Sequence, residues 1–339
     1  MIRTAILSFW HVHVAGHIKQ ANEHPDIELV AAWDEDPARG RERSAEVGLE
    51  FVENLDELLA RTDIDAVIVQ CATGLHLEVI TKAAAAGKHV LSDKVLAATL
   101  KEANQIIAAA DAAGIVLVTS MVAIYHDYIN TMREVIESGE LGQIVNIRMM
   151  SCHGRAVDSS LPPGFFSQKE AAGGAVVDMC HVLYALPFLV GKMPLGAYSI
   201  FSKITGKEVE DHGVILYDFD DGSHANIEIS FATKAAPRME IEINGTEGTI
   251  HFRADAHPTG TGAPPNAVFL KAIEDPANFQ PLAYGQQETT PLRLWVDHIK
   301  AGMRPDDNVA RAIDLSRMNE AAYLSAARGT RVALDTLEA

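Results

Sequence analysis

The sequence predicts a two-part α/β protein, a doubly wound parallel sheet followed by a larger, open and mostly antiparallel sheet. Three observations carry this. Strands and helices alternate through the first third of the chain. Runs such as Asp65–Gln70 are apolar and β-branched, the pattern of a strand buried on both faces. After the helix Tyr125–Ser138 the helices thin out, and strands joined by turn sequences succeed one another. The spacing divides the chain into residues 1–120 and 121–339.

In order, Thr4–Ser8 reads as a short strand and Val14–Glu23 as a helix ended near His24-Pro25. Glu28–Asp34 is the second strand, and Pro37–Val47 a helix closed by Gly48. Asp65–Gln70 is followed by the helix Leu75–Ala86, closed by Gly87, then by the strand His89–Leu91. The helix Leu100–Ala113 stops at Gly114 and leads into the strand Ile115–Thr119. In the second part, strands are expected at Val145–Met150, Gly196–Lys203, Val214–Phe219, His224–Phe231, Arg238–Asn244 and Thr249–Phe252. Asp220-Asp221-Gly222-Ser223 and Asn244-Gly245-Thr246-Glu247-Gly248 are hairpin turns. Residues 255–266, rich in Pro and Gly, read as a loop, and helices Leu292–Ala301 and Val309–Ala327 close the chain.

The 339 residues suffice for two domains, and 48% hydrophobic with 22% charged residues is ordinary globular composition. With 28 basic against 46 acidic residues, the net charge of −18 argues against nucleic acid or an anionic membrane as partner. Cys71, Cys152 and Cys180 form no CxxC pair, and the first residues form a strand rather than a secretion signal. A cytoplasmic location is expected from both.

Ligands of an open α/β sheet gather beyond the carboxyl ends of its strands. Lys94, which follows the strand after Gly87, stands at such an end and could bind substrate, hold an alkoxide or move a proton. The first strand-to-helix turn, Ser8-Phe9-Trp10-His11-Val12-His13-Val14, lacks every glycine of the dinucleotide fingerprint GxGxxG. Phosphate binding there would fall to backbone N–H groups, the helix dipole, Ser8 or a histidine, with the bulky side chains pointing away. Asp34, ending the second strand, has the position of the acid that receives the adenosine ribose diol, which favours NAD over NADP; Arg39 weakens that preference. His11-x-His13 is also how metal-dependent hydrolases begin their metal site. That fold needs eight βα units, so no metal is expected.

These pieces together resemble the Gfo/Idh/MocA family of oxidoreductases over essentially the whole chain. The resemblance rests on Asp65–Val69 followed by His76, on Ala86–Leu91 running into Asp93-Lys94-Val95, and on Glu140–Ile144. Gly173–Asp178 with His181, Glu242–Thr249 and Ala322–Ala326 complete it. It implies an N-terminal Rossmann domain, a C-terminal α/β domain and NAD(P)-dependent oxidation or reduction of a secondary alcohol. It also implies a cofactor-binding set of Ser8, Phe9, Trp10, His11, His13, Val14, Asp34, Arg39, Cys71, Ala72, Thr73, His76 and Asp93.

Departures from the pattern are equally specific. Val95 stands for the proline of the family's Glu-Lys-Pro, Asp93 for its longer acid, and Ile124-Tyr125 for an Arg-Phe pair. His181 follows Asp178 by three residues instead of four, a spacing that keeps both on one face of a continuous helix.

Within the implied chemistry His181 suits the general base and Lys94 the cation facing the alkoxide, with the proton acceptor open between the two; Asp178 either orients the imidazole or accepts from a neighbouring substrate hydroxyl. Tyr125, His126, His153 and Arg155 join Lys94, Asp178 and His181 as substrate-pocket residues. The expected substrate is a sugar, glycoside or cyclitol. A homodimer or homotetramer covering the open sheet is expected as well. A non-catalytic sugar or nucleotide sensor and the metal-dependent hydrolase are the alternatives.

Overall fold

The computed structural model describes residues 1–234, 238–255, 267–272, 280–283 and 289–338. They fall into two compact units, 1–121 with 289–316, and 122–288 with 317–338. The first unit's opening stretch ends at Met121, and the chain returns to that unit over 289–316.

The first unit is built on six parallel strands: β1 (Ile2–Leu7), β2 (Ile27–Trp33), β3 (Glu50–Phe51), β4 (Ala66–Val69), β5 (His89–Ser92) and β6 (Leu117–Thr119). Their order is β3-β2-β1-β4-β5-β6, so the direction of winding reverses between β1 and β4. Alternation along β1 sends Ala5 and Leu7 into one core and Ile2 and Ile6 into the other. On the first face lie α3 (Leu55–Leu59), α4 (His76–Ala85) and α5 (Leu100–Ala113). On the other lies α1 (Val14–Glu23), while α2 (Pro37–Val47) flanks β2 and β3.

Helix α5 starts and stops where the sequence places it. Thr99 accepts the Glu102 N–H as its cap, and Gly114 ends it with φ of 66°. The strand β3 was not foreseen, because two residues carry no periodicity.

In the second unit the sheet has nine strands among the described residues. They are β7 (Ile144–Cys152), β8 (Gly196–Ser202), β9 (His212–Asp218), β10 (His224–Ser230), β11 (Arg238–Gly245), β12 (Gly248–Asp255), β13 (Ala267–Ala272), β14 (Gln280–Leu282) and β15 (Val332–Ala333). The order is β14-β13-β12-β11-β7-β10-β9-β8-β15, antiparallel except for the parallel pair β7–β10. Apart from Asp255, the loop expected over 255–266 lies outside the described residues.

One face of this sheet is buried through Ile147, Met149, Ile215, Tyr217, Ile227 and Ile241. Its helices are α6 (Asp127–Ser138), α7 (Gln168–Ala171), α8 (Ala175–Asp178) and α9 (His181–Val190). The opposite face leaves Tyr198 42%, Ile200 62%, Val214 37% and Leu216 39% exposed.

Helix α10 (Pro291–Ala301) belongs to the first unit, where Leu292, Trp295 and Val296 share a core with Ile6, Phe9 and Ile18. The start of α11 (Asp306–Arg328) is pinned there too. Asn308 receives the Thr119 N–H at 2.7 Å and donates to the Thr119 carbonyl at 2.9 Å, satisfying the outer edge of β6. No single helix among the described residues is long and apolar enough to cross a membrane.

Candidate functional site

In the first unit the predicted cofactor residues gather at the carboxyl ends of β1, β2, β4 and β5, around the reversal point. Ser8 takes φ of +82°, the left-handed conformation that glycine adopts without cost. At this one position the turn takes a conformation that suits glycine, with a serine in its place. Ser8 Oγ accepts the Trp10 N–H at 3.0 Å, which locally supports that shape. Ser8→Gly is expected to change stability by less than about 1 kcal/mol, since relief of strain offsets the lost hydrogen bond. A large drop in melting temperature would show that the serine side chain, not the turn shape, is what matters.

Phe9 and Trp10 are buried, and Phe9 joins the core under α1 and α10. Their bulk is thus turned into the protein, as the missing glycines required. Helix α1 opens at Val14 with no side-chain cap and no acid in its first turn. Its positive end is suited to an anion such as a dinucleotide pyrophosphate. The N–H groups of Phe9, Trp10 and His11 are already used, by Asp34, Ser8 and the Gln70 carbonyl. An anion's place is the helix end, beyond the strand.

Asp34 is buried at the end of β2 and is not a bare acceptor. Arg39 spans its carboxylate, Nε to Oδ2 at 3.0 Å and Nη2 to Oδ1 at 2.6 Å. Burial by itself would lower the Arg39 pKa, but Asp34 and Glu35 hold it above its ordinary value. The acid's charge is matched within the protein, and a planar guanidinium stands beside it. Burial raises the Glu35 carboxyl.

His76 is buried, with Nε2 3.2 Å from the Cys71 carbonyl and Nδ1 3.0 and 3.1 Å from those of Val95 and Leu96. Burial lowers its pKa. The ring ties the loop after β4 to the segment after Lys94, so it acts on the site through backbone position. Cys71 and Ala72 are buried in that loop and Thr73 is partly exposed; burial pushes the Cys71 thiol up. Lys94 itself is 7% exposed, and its peptide bond to Val95 is cis.

Asp93 meets two histidines of the first turn. His11 Nδ1 lies 3.0 Å and His13 Nδ1 3.1 Å from Asp93 Oδ2. Burial would raise the Asp93 carboxyl, but these neighbours hold it well below the usual carboxylate range. His17, one turn along α1, is buried, and burial lowers its pKa to about 4.

The second unit brings a different group together. Alternation along β7 places Ile147, Met149 and Ser151 on the helix-covered face. Ser151 Oγ is 2.8 Å from His181 Nε2. His153, just beyond the strand, stacks on Phe231, the residue after the parallel neighbour β10 (centroids 4.6 Å apart, 12° between planes). Burial lowers the His153 pKa and Arg155 adds to that, while Asp178 opposes it. Ser151 and His181 thus meet at the carboxyl end of the β7–β10 pair, with His153 two residues along the chain from Ser151 and Asp178 acting on His153 electrostatically. His126 stacks on Tyr128 and Tyr128 on Phe252, a separate aromatic column at the start of α6. Tyr125 ends the short 3-10 turn Val122–Tyr125 before it.

One expectation about this group is corrected. Asp178 and His181 do not share a face of one helix: α8 ends at Asp178, α9 begins at His181, and segments Gln168–Asp178 and His181–Val190 meet at 44°. The start of α8, ahead of that break, is held from outside. Buried Glu210 accepts the Gly174 N–H at 2.9 Å and the Val176 N–H at 3.1 Å, and Tyr323 donates to it at 2.5 Å. A Cβ at Gly174 would come within 1.9 Å of the Glu210 carbonyl, so only glycine permits this approach. Ser151, Phe231, Glu210 and Tyr323 carry no site role in the sequence reading. Ser151 had a signal in the strand alternation continued past Met150, and Tyr323 lies in the Ala322–Ala326 motif.

The comparisons agree with this architecture. Residues 13–121 match the family model described as oxidoreductase family, NAD-binding Rossmann fold, and residues 129–251 match the GFO/IDH/MocA C-terminal domain. The 1,5-anhydro-D-fructose reductase of Ensifer adhaerens is 33% identical over 258 residues, 74% of this chain and 77% of that protein. D-xylose 1-dehydrogenase (NADP(+)) 2 of Haloferax volcanii is 26% identical, over 93% and 94% of the two chains. Among solved structures, levoglucosan dehydrogenase in complex with NADH and levoglucosan has a TM-score of 0.83 at 19% identity, covering 98% of this chain and 99% of its own. Aldose-aldose oxidoreductase from Caulobacter crescentus, complexed with glycerol, has a TM-score of 0.80 at 21% identity, with 98% and 99% covered. These two establish the likeness of fold. A two-sheet chain with this reversal point is also no eight-unit barrel, which removes the fold that the metal-dependent hydrolase alternative requires. The chain belongs to the Gfo/Idh/MocA family of NAD(P)-dependent oxidoreductases, and its first unit is that family's Rossmann fold.

Proposed function

We propose that this protein oxidises or reduces a secondary alcohol of a sugar, glycoside or cyclitol with NAD as cofactor, NADP being the poorer partner. The observation that carries the reading is the reversal point of the first sheet. There a left-handed first turn, an uncapped helix end, the buried acid Asp34 and Lys94 stand at neighbouring strand ends. Its relatives' names, a reductase of an anhydro-sugar and a xylose dehydrogenase, support the substrate class.

When bound, the nicotinamide accepts or returns the hydride. The protein's residues do the rest. The Lys94 ammonium donates to the oxygen that becomes an alkoxide, where negative charge develops. His181, whose Nε2 is within hydrogen-bond distance of Ser151, takes the hydroxyl proton or returns it. Asp178 and His153 beside it orient hydroxyl groups and the imidazole, and Tyr125, His126 and Arg155 complete the pocket set. Asp34 receives the ribose diol, sharing its carboxylate with Arg39.

Thermal unfolding of cofactor-stripped protein with NAD+, NADP+ and neither tests the cofactor assignment. At a hundred times its dissociation constant a ligand adds about 2.7 kcal/mol, a readily measured shift. A larger shift with NAD+ supports the reading; no shift with either would favour the sensor alternative. Arg39→Ala removes the cation that matches the Asp34 charge, so the ratio of NADP+ to NAD+ affinity should fall by about tenfold. An unchanged ratio would remove Arg39 from cofactor choice.

The apolar open face of the second sheet supports a homodimer or homotetramer built on it. The buried thiols of Cys71, Cys152 and Cys180 are consistent with a cytoplasmic setting.

A further inference from the structure

The side chains that crowd the first turn are metal ligands by type and by spacing, and the hydride chemistry does not require them. His11 Nδ1, His13 Nδ1 and a carboxylate oxygen of Asp93 all lie within 4.8 Å of one another. Two of the edges of this triangle are 3.0 and 3.1 Å. Four ligands at about 2.0–2.1 Å around a tetrahedral ion stand about 3.3 Å apart, so the triangle needs to open by only a few tenths of an ångström.

The hydrogen-bond bookkeeping points the same way. The His13 N–H donates to His11 Nδ1 at 3.2 Å, which requires a lone pair on that nitrogen. The same nitrogen lies 3.0 Å from the Asp93 carboxylate, so one imidazole nitrogen is aimed at both a backbone N–H and a carboxylate oxygen. A cation bound there would take the imidazole lone pair and the carboxylate together. The ligands are also held in place. The His11 N–H is bonded to the Gln70 carbonyl and the Asp93 N–H to that of Val69, while Asp93 Oδ1 accepts the Lys94 N–H at 2.7 Å. His13, with 48% of its side chain exposed, leaves a path from solvent. Beside them, buried His17 has an Nδ1 with no hydrogen-bond partner.

We propose that His11, His13 and Asp93 form a binding site for one divalent transition-metal ion of the Zn²⁺ or Co²⁺ kind. Two imidazoles and one carboxylate suit such ions; Mg²⁺ and Ca²⁺ prefer oxygen ligands throughout. The three ligands leave a coordination position open to water or to an anionic group.

The full chain, treated with chelator and dialysed, is titrated with Zn²⁺ by calorimetry and with Co²⁺ by visible absorption. One ion per chain is expected, with the intense visible bands of a four-coordinate Co²⁺ site. His13→Gln, at an exposed position that the fold tolerates, should weaken binding by about a hundredfold or more. His224→Gln, an exposed histidine of the second unit, should leave it unchanged. Absence of binding, equal binding by His13→Gln, or equal loss in His224→Gln overturns the proposal. Cofactor-induced thermal shifts are read separately, so failure here leaves the oxidoreductase reading standing.

Discussion

Lys94→Ala is expected to lower kcat by about 10²–10³-fold, the usual cost of removing one donor from a developing oxyanion. Affinity for NAD+ should stay within a few-fold of the parent. Strand β5 delivers Lys94 to the carboxyl end of the parallel sheet, where the family's chemistry is done, and the surroundings leave it only 7% exposed. A buried lysine costs desolvation, and a folded protein tolerates that where the charge is used or paired. Single-turnover rates and cofactor titrations separate the two effects. Turnover at the parental rate would end the assignment; equal loss of NAD+ affinity would make Lys94 a cofactor ligand instead. Lys94→Arg is not expected to rescue, because a planar fork cannot replace a point charge at one oxygen.

Glu210→Ala should be the most damaging single change to stability at the second unit's site, by about 2–3 kcal/mol. The Val176 N–H and the Tyr323 hydroxyl lose their acceptor at once, and the Gly174 N–H keeps only its longer, 3.2 Å bond to the Tyr323 oxygen. These fix the short helix that ends at Asp178, so activity should fall together with the melting temperature. Glu210→Gln keeps an acceptor oxygen and should cost much less.

A pH dependence follows from the same residue. Burial raises the Glu210 carboxyl above its ordinary value, against the opposing hydrogen bond from Tyr323. The folded state then holds its proton more tightly than the unfolded state does. The associated stability is complete below the ordinary carboxylate range and is lost as pH rises through the raised folded value. Glu210→Gln should abolish that slope, which denaturant titrations at stepped pH would show. A slope of the opposite sign would mean that the carboxylate is preferentially stabilised in its charged form.

The legible part of the fold is the part written locally. Helix α5 is bounded by a threonine cap and a left-handed glycine, both visible as residue types, and its limits were read correctly. The strands of the first sheet are apolar on both faces and stand out, although their ends moved by one or two residues. What was illegible depends on distant partners. Nothing near Trp295 says that α10 packs back on the first unit, and β15 is two residues pairing with β8 across more than a hundred positions. The start of α8, the short helix that ends at Asp178, is held by Glu210 and Tyr323, neither of which shares a periodic pattern with it. In the first turn the absence of glycine was legible, but the left-handed Ser8 was not. The approach of Asp93 to His11 and His13 joins residues about eighty apart and has no local signature either.

The most direct test of the central claim is hydride transfer itself. The protein is incubated with NAD+ and a panel of pyranoses, anhydro-sugars, glycosides and cyclitols, and reduced nicotinamide is followed by absorbance. The account predicts that at least one of these secondary alcohols yields reduced cofactor with the parent protein and not with Lys94→Ala. No reduction by any of them, with protein shown to bind NAD+, would contradict it.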